Sequence, residues 1–208
     1  MSHSTVVILA NGAFPAHPTS IQVLEQADFL ICCDGAVDQL LKNSNYLPDL
    51  IVGDLDSLTT ESKIKFSEKI IQITDQNIND LVKAFDVAIT KKPQKIIFLG
   101  TSGGREDHML ANFSYFFDFA KQCDVEAYTD RGKFISITNS KKVISFKGQQ
   151  VSFFTESPNV IVDCENLKWP LTQKSFDRLW QGSLNESISE QLEIHVRQGV
   201  CLIFLVSS

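Results

Sequence analysis

The stretch PDLIVGDLDSL, residues 48–58, ends an apolar run with Asp54 and Asp56, one residue apart, and carries a third acid at Asp49. In an extended segment, residues i and i+2 face the same way. Two carboxylates ~5 Å apart at an effective dielectric of 20 repel by roughly 3 kcal/mol. A divalent cation between them would offset that cost. Mg²⁺ suits such oxygen donors, usually taking one or two carboxylates together with substrate phosphates. Other apolar runs also end in polar residues: Asn11 and Gly12, then Asp34 and Gly35, then the loop GTSGGREDH of residues 100–108. Asp34 alone reads as a turn residue. Several acids converging on one sheet edge are harder to dismiss, because open α/β sheets bind ligands beyond the carboxyl ends of their strands.

Asp80 opens a helical pattern in DQNINDLVK and shares a side with Lys83, three residues on. Two readings stand side by side. Asp80 is a helix cap with a surface ion pair to Lys83 worth well under ~1 kcal/mol, or Asp80 serves the metal and Lys83 a phosphate. In the 100–108 loop, Gly103-Gly104 lets the backbone approach an anion, and the helix that follows offers free N–H groups. Arg105 can add a bidentate contact. A Gly-Gly pair before a helix is weak by itself, and neither a Walker A sequence nor GxGxxG is present. His108 reads as a packing or capping residue beside the site rather than a catalytic one.

These residues need a scaffold of alternating strands and helices. TVVILANG, ADFLICCDGA, PDLIVGDLD and KIIFLGTSGG read as strands; AVDQLLKN, NDLVKAFDVAITKK and EDHMLANFSYFFDFAKQ read as helices. The second helix puts Leu81, Phe85 and Ala88 on one face. The strands are near-continuously apolar, as a parallel sheet covered on both faces requires. From residue 125 the pattern changes to the short segments VEAYTD, RGKFISI, KVISFKG, QQVSFFTES and NVIVDC, separated by Gly, Pro and polar turns. QLEIHVR alternates, with Leu192, Ile194 and Val196 on one face, and Gln198-Gly199 turns the chain into VCLIFLVSS. The expected fold class is α/β: a Rossmann-like parallel-sheet domain over residues 1–124, then an all-β sandwich over residues 125–208.

Composition removes several function classes. A net charge of −6 argues against a nucleic-acid binder, which shows a basic patch or stripe. No apolar run approaches the ~18 residues of a membrane span. The amino terminus lacks a basic n-region, so no signal peptide is expected. The five cysteines are odd in number, Cys32 and Cys33 are adjacent, and no CxxC exists. They read as buried reduced thiols of a cytoplasmic protein, not as a zinc site or disulfide framework.

Taken in order, LANG (9–12), CDGA (33–36), PDLIVGDLDSL (48–58), DQNINDLVKA (75–84) and GTSGGREDHMLAN (100–112) resemble the thiamine pyrophosphokinase family. NLKWPL (166–171) and GSLNE (182–186) are similar, more loosely, to that family's thiamine-side motifs. The resemblance implies a homodimer that uses Mg²⁺ and ATP, transfers pyrophosphate to the hydroxyl of thiamine and releases AMP. It implies that Asp34, Asp54, Asp56 and Asp80 hold Mg²⁺ and orient the triphosphate. Asn11, Gly12, Gly103 and Gly104 would line the nucleotide site, and Gln76 and Lys83 the same cleft. Arg105 and Asp107 would serve the nucleotide and the catalytic constellation. Trp169, Ser183 and Asn185 would hold thiamine, supplied by the neighbouring subunit. Two positions depart from the family pattern: Asn79 stands where many members have Thr, and Leu184-Asn185 stands where the family has Ser-Asn, with Ser183 one place earlier.

Two other classes fit part of the sequence. LIVGDLDSL also looks like the opening of haloacid-dehalogenase-type phosphatases, whose first aspartate is a nucleophile. That opening usually sits on the first strand, and here two strands precede it. A non-catalytic nucleotide or thiamine sensor would keep the fold, yet has little need of so many repelling carboxylates. AMP release separates the kinase from the phosphatase, and turnover separates it from the sensor.

Overall fold

The apolar runs of the amino-terminal half become parallel strands in a computed structural model that describes residues 4–207. Ser208, at the end of the last expected strand, and residues 1–3 lie outside the described residues. The fold is mixed α/β, with one large sheet and a second, four-stranded antiparallel sheet. It divides into two units, Met1–Tyr115 with Ala127–Asp130, and Phe116–Glu126 with Arg131–Ser208.

The first unit runs β1 (Thr5–Leu9), α1 (Pro18–Glu25), β2 (Phe29–Cys33), α2 (Ala36–Asn43), β3 (Leu50–Gly53), α3 (Thr60–Lys65), β4 (Ile70–Gln72), α4 (Asp80–Ile89), β5 (Lys95–Leu99) and the start of α5 (Glu106–Phe119). Its strands lie in the order β5-β1-β2-β3-β4, and all four pairings are parallel. Leu24 of α1 and Ala36, Val37 and Leu40 of α2 join Val7, Leu9, Cys32, Ile51 and Leu99 in one buried cluster. The residues between, such as Val6, Ile8, Ile31, Val52 and Phe98, are equally buried. α4 packs on β1, β2 and β3, and its Leu81, Phe85 and Ala88 are buried, as the helical spacing predicts.

The chain steps outward from β1 to β4, then α4 carries it back to β5 on the far side of β1. Right-handed crossovers put helices of opposite travel on opposite faces. The strand order therefore reverses between β1 and β5, the switch point beside which open α/β sheets place their ligand crevice.

The second unit carries β6 (Asp124–Thr129, shared with the first), β7 (Gly132–Ile137), β8 (Ser140–Ile144), β9 (Gln150–Thr155), β10 (Ile161–Cys164), β11 (Leu171–Lys174), β12 (Asn185–Glu186), β13 (Gln191–Arg197) and β14 (Cys201–Val206). Strands β12-β9-β14-β7 pair antiparallel, as do β11-β10-β13-β8 of the second sheet. Ile135, Phe153 and Ile203 from the first set meet Val143, Val162, Leu192, Ile194 and Val196 from the second in one core. β13 buries every second residue, as its sequence predicts.

Candidate active site

Three carboxylates converge at the ends of β2 and β3. One oxygen each from Asp34, Asp54 and Asp56 lies within 4.8 Å of the others. Asp34 follows β2 with φ +36, a left-handed conformation that Asp tolerates better than most residues. A Cβ at Gly53 would lie 2.8 Å from that of Asp34, so only glycine fits there. Asp34 Oδ2 accepts the Ser57 N–H at 3.0 Å, while Oδ1 is buried with no hydrogen-bond partner. Burial pushes the Asp34 carboxyl above the usual carboxylate range, against the Ser57 N–H, and the neighbouring Asp80 and Asp56 push the same way.

Asp54 is held differently. Its Oδ2 accepts from Gln76 Nε2 at 2.6 Å and its Oδ1 from the Asp56 N–H at 3.2 Å. The Gln76 bond, then the Asp56 N–H, hold this carboxyl below its ordinary value. Strand alternation does not bring Asp54 and Asp56 together, contrary to the sequence expectation. β3 ends at Gly53, and Leu55 between the two acids has φ +71. A left-handed leucine costs on the order of 1 kcal/mol or more, strain of the kind that collects at functional sites. Asp49, the third acid of the stretch, is structural: its Oδ2 accepts the Leu30 N–H at 2.8 Å at the start of β2.

Asp80 stands outside that trio and is not the helix cap. Asn79 caps α4, its Oδ1 accepting the Leu81 N–H at 2.8 Å, and so fills a role in which Asn and Thr are both competent. Asp80 Oδ1 pairs with Lys83 Nζ at 2.9 Å. The Lys83 side chain is only 2% exposed, so this is no solvated surface pair. Burial alone would lower the Lys83 pKa, but Asp80, then the charges of Asp54 and Asp75, outweigh it and leave it raised.

Across the crevice, the loop after β1 zips to the loop after β5: Gly12 N–H bonds Gly100 O and Ala13 N–H bonds Ser102 O, both at 2.9 Å. A Cβ at Gly12 would meet Gly100 O at 2.3 Å, so glycine is required for that approach. Gly103 has φ +77 against Ala13. The crevice has a volume of about 440 Å³, and Asn11, Gly12, Asp34, Asp80, Gly104 and Arg105 are among its lining residues. Asp54 and Asp56 lie beside the lining residue Asp34 and Gln76 bonds Asp54, whereas Lys83, Gly103 and Asp107 are not among the lining. Arg105 pairs with Asp107 at 2.5 Å, both largely exposed, and that bond holds Asp107 down at about 2. His108, Met109 and Asn112 also line the crevice from one face of α5. Sequence reading left out Ser57, Thr101 and Asn112; the i, i+4 spacing of His108 and Asn112 was the available signal for the last.

In the second unit, Asn185 is buried and spent on the backbone. Its Nδ2 donates to Trp169 O at 2.7 Å, and its Oδ1 accepts the Trp169 and Glu186 N–H groups at 3.3 and 2.8 Å. Trp169 is 56% exposed, with Lys168 Nζ 5.1 Å from a ring centroid. Ser183 is not joined to this pair; its hydroxyl donates to Trp180 O at 2.6 Å. Leu184, between them, is exposed with φ +63.

The donor set in the first unit is all oxygen, with one buried carboxylate oxygen left over, which fits a hard divalent cation. The family model described as "Thiamin pyrophosphokinase, catalytic domain" matches residues 21–142, and "Thiamin pyrophosphokinase, substrate-binding domain" matches residues 132–204. Thiamine pyrophosphokinase 1 of Oryza sativa subsp. japonica is 25% identical over 214 residues, covering 88% of this chain and 80% of that protein. Thiamine pyrophosphokinase from Bacillus subtilis superposes with a TM-score of 0.81 at 20% identity, covering 98% of this chain and 99% of that one. The yeast enzyme superposes at 0.79 with 14% identity, covering 100% of this chain and 87% of that one. With one family model spanning more than half its length and a second most of the remainder, this chain belongs to the thiamin pyrophosphokinase family.

Proposed function

We propose that the protein transfers the terminal pyrophosphate of ATP to the hydroxyl of thiamine, giving thiamine diphosphate and AMP. The observation that carries the reading is the meeting of three carboxylates, one with an orphaned buried oxygen, beside a crevice edged by a Gly-Gly-Arg loop, in a chain of this family. Asp34, Asp54 and Asp56 hold Mg²⁺ in this reading, with Asp80 at its edge. When bound, the cation neutralises phosphate charge that the protein alone would meet with repulsion.

The chain's own groups do the rest. Gln76 fixes Asp54 in its ionised form, and Lys83, anchored by Asp80, brings the one buried cation of α4 to the acids. The Gly103-Gly104 backbone and the amino-terminal end of α5 offer N–H groups to phosphate oxygens. Asn11 and Gly12 border the nucleotide. Arg105 exchanges its exposed partner Asp107 for phosphate, a bidentate contact that matches its planar fork. An alcohol attacking phosphorus needs in-line positioning and charge neutralisation more than covalent help.

Residues 1–124 serve as a Rossmann-like catalytic domain and residues 125–208 as a β-sandwich that binds thiamine. The parallel order with its reversal at β1, and the core shared by the antiparallel strands of the large sheet and the second sheet, support that division. Trp169 stacks on the flat cationic thiamine, Asn185 positions it, and Ser183 borders the site. The protein works as a homodimer with thiamine at the subunit interface. Exposed Trp169, Leu179, Trp180 and Leu184 support this, since apolar surface of that extent marks interaction sites. The buried thiols of Cys32, Cys33, Cys164 and Cys201 support a reducing, cytoplasmic setting. Among the described residues no helix is long and apolar enough to cross a membrane.

The test is chromatography of products after incubation with ATP, Mg²⁺ and thiamine. AMP and thiamine diphosphate in equal amounts, both lost with EDTA and with Asp54→Asn, is the expected result. ATP binding with no thiamine diphosphate would refute the reading.

A further inference from the structure

Four buried side-chain atoms among the described residues lack a hydrogen-bond partner: Ser20 Oγ, Asp34 Oδ1, Thr101 Oγ1 and Asp163 Oδ2. The last is ion-paired to Arg197 at 2.8 Å. Nothing in the structure accounts for Ser20. Asp34 and Thr101, by contrast, both line the crevice. Native proteins pair nearly all buried polar atoms, so an orphan beside a cleft points to a partner that arrives with a ligand.

Thr101 is 2% exposed and sits between Gly100, at φ +66, and the Gly103-Gly104 turn. Its carbonyl accepts from Asn112 Nδ2 at 3.3 Å, and Asn112 Oδ1 accepts in turn from Asn79 Nδ2 at 3.5 Å. Three elements therefore hold the Thr101 backbone: β5 leads into it, α5 bonds it through Asn112, and the α4 cap reaches Asn112. The hydroxyl takes no part in that frame. A buried hydroxyl left unbonded destabilises the free protein, and its neighbours on the loop are the glycines and arginine of the phosphate-binding edge.

Resting on the proposed ATP reading, we infer that Thr101 is a ligand-contacting residue whose hydroxyl donates to an anionic oxygen of the triphosphate. Thr101 thereby adds a fixed, water-excluded donor to a loop that otherwise offers backbone N–H groups and one exposed arginine. Asn112 and Asn79 are positioning residues for it. Isosteric Val removes the hydroxyl and keeps the methyl and shape.

The experiment measures binding of ATP, tripolyphosphate and adenosine to the wild-type chain, Thr101→Val and Thr101→Ser by calorimetry, with thermal melting of each ligand-free protein. Thr101→Val is expected to weaken ATP and tripolyphosphate by the same factor, roughly 10- to 100-fold, as for loss of a donor to a charged acceptor. It should leave adenosine unchanged and melt no lower than wild type, since an unpaired hydroxyl has been removed. Thr101→Ser should restore most of the affinity. ATP binding unaltered in Thr101→Val would overturn the inference while leaving the ATP reading intact. Weakening of adenosine instead of tripolyphosphate would overturn the phosphate assignment, and a melting point lowered in step with affinity would make Thr101 structural. A wild-type chain that binds no ATP at all would overturn both.

Discussion

At the carboxyl ends of β2 and β5 one buried side-chain oxygen each of Asp34 and Thr101 lacks a partner, whereas around Trp169 both polar ends of buried Asn185 are bonded. What lies open in the second region is apolar: Trp169, Trp180 and Leu184 are all more than half exposed. The first region stores unmet charge and hydrogen-bonding capacity, and the free protein is less stable for it. The second is a satisfied scaffold that displays ring surface. In the proposed reaction a phosphate and a metal would complete the one, and a flat, cationic ring would cover the other.

The sharpest way to break the contrast is Asp54→Asn. It should lower AMP formation on the order of 10³-fold, as loss of a principal electrostatic group does. Melting of the ligand-free protein should fall modestly at most, because the bonds that hold Asp54 ionised, from Gln76 and the Asp56 N–H, are weakened while its repulsion with Asp56 is relieved. A variant that failed to fold without ATP would make the acid cluster a structural network and erase the difference between the regions.

Asn185→Ala should behave in the opposite sense. It strands the Trp169 backbone groups and costs about 2 kcal/mol, a fall of roughly 4–8 °C in a chain of this size. Thermal denaturation measures it directly. A rise in the KM for thiamine should follow, because Trp169 is no longer held, while ATP affinity is untouched. Unchanged melting would show that the three Asn185 bonds do not hold this loop.

Trp169→Ala removes the display and leaves the scaffold. Stacking and cation–π attraction contribute ~1 kcal/mol or somewhat more, so the KM for thiamine should rise about tenfold with the melting point and the KM for ATP unmoved. Trp169→Phe should recover part of the loss. Steady-state kinetics with each substrate varied in turn would separate this from a general defect.

Much of the scaffold follows from pattern. Leu81, Phe85 and Ala88 are buried as a 3.6-residue period requires, and β13 alternates as its side chains do. The elements the pattern missed have little to bury. α1 buries only Ser20 and Leu24, α3 only Ser62, and β4 is a three-residue edge strand with no fully buried residue. At the site, residue type marked the acids, but their geometry was not legible: the left-handed Leu55 between Asp54 and Asp56 runs against leucine's own preference, so only tertiary structure imposes it. The burial of Lys83 was equally hidden, because a lysine at i+3 from an aspartate looks the same in water as in a core. Ser57 and Thr101 carry no signal at all beyond being polar loop residues.

The smallest effect concerns how the unmet charge of the first region depends on pH. Burial raises the Asp34 carboxyl above its ordinary value of 3.8. Its protonated form therefore contributes stability that is fully present below 3.8 and is lost as pH rises through the folded-state value. Asp34→Asn has no charge to bury, accepts the Ser57 N–H through its own Oδ1, and tolerates the left-handed backbone there. In EDTA, stability curves of wild type and Asp34→Asn should run parallel below pH 3.8 and separate above it, with the variant gaining relative to wild type. Adding Mg²⁺ at neutral pH should narrow the gap by stabilising the wild type alone. Curves parallel across the whole range would mean that Asp34 is ionised at no cost in the free protein, and the orphaned oxygen would then no longer distinguish this cleft from the satisfied scaffold around Asn185.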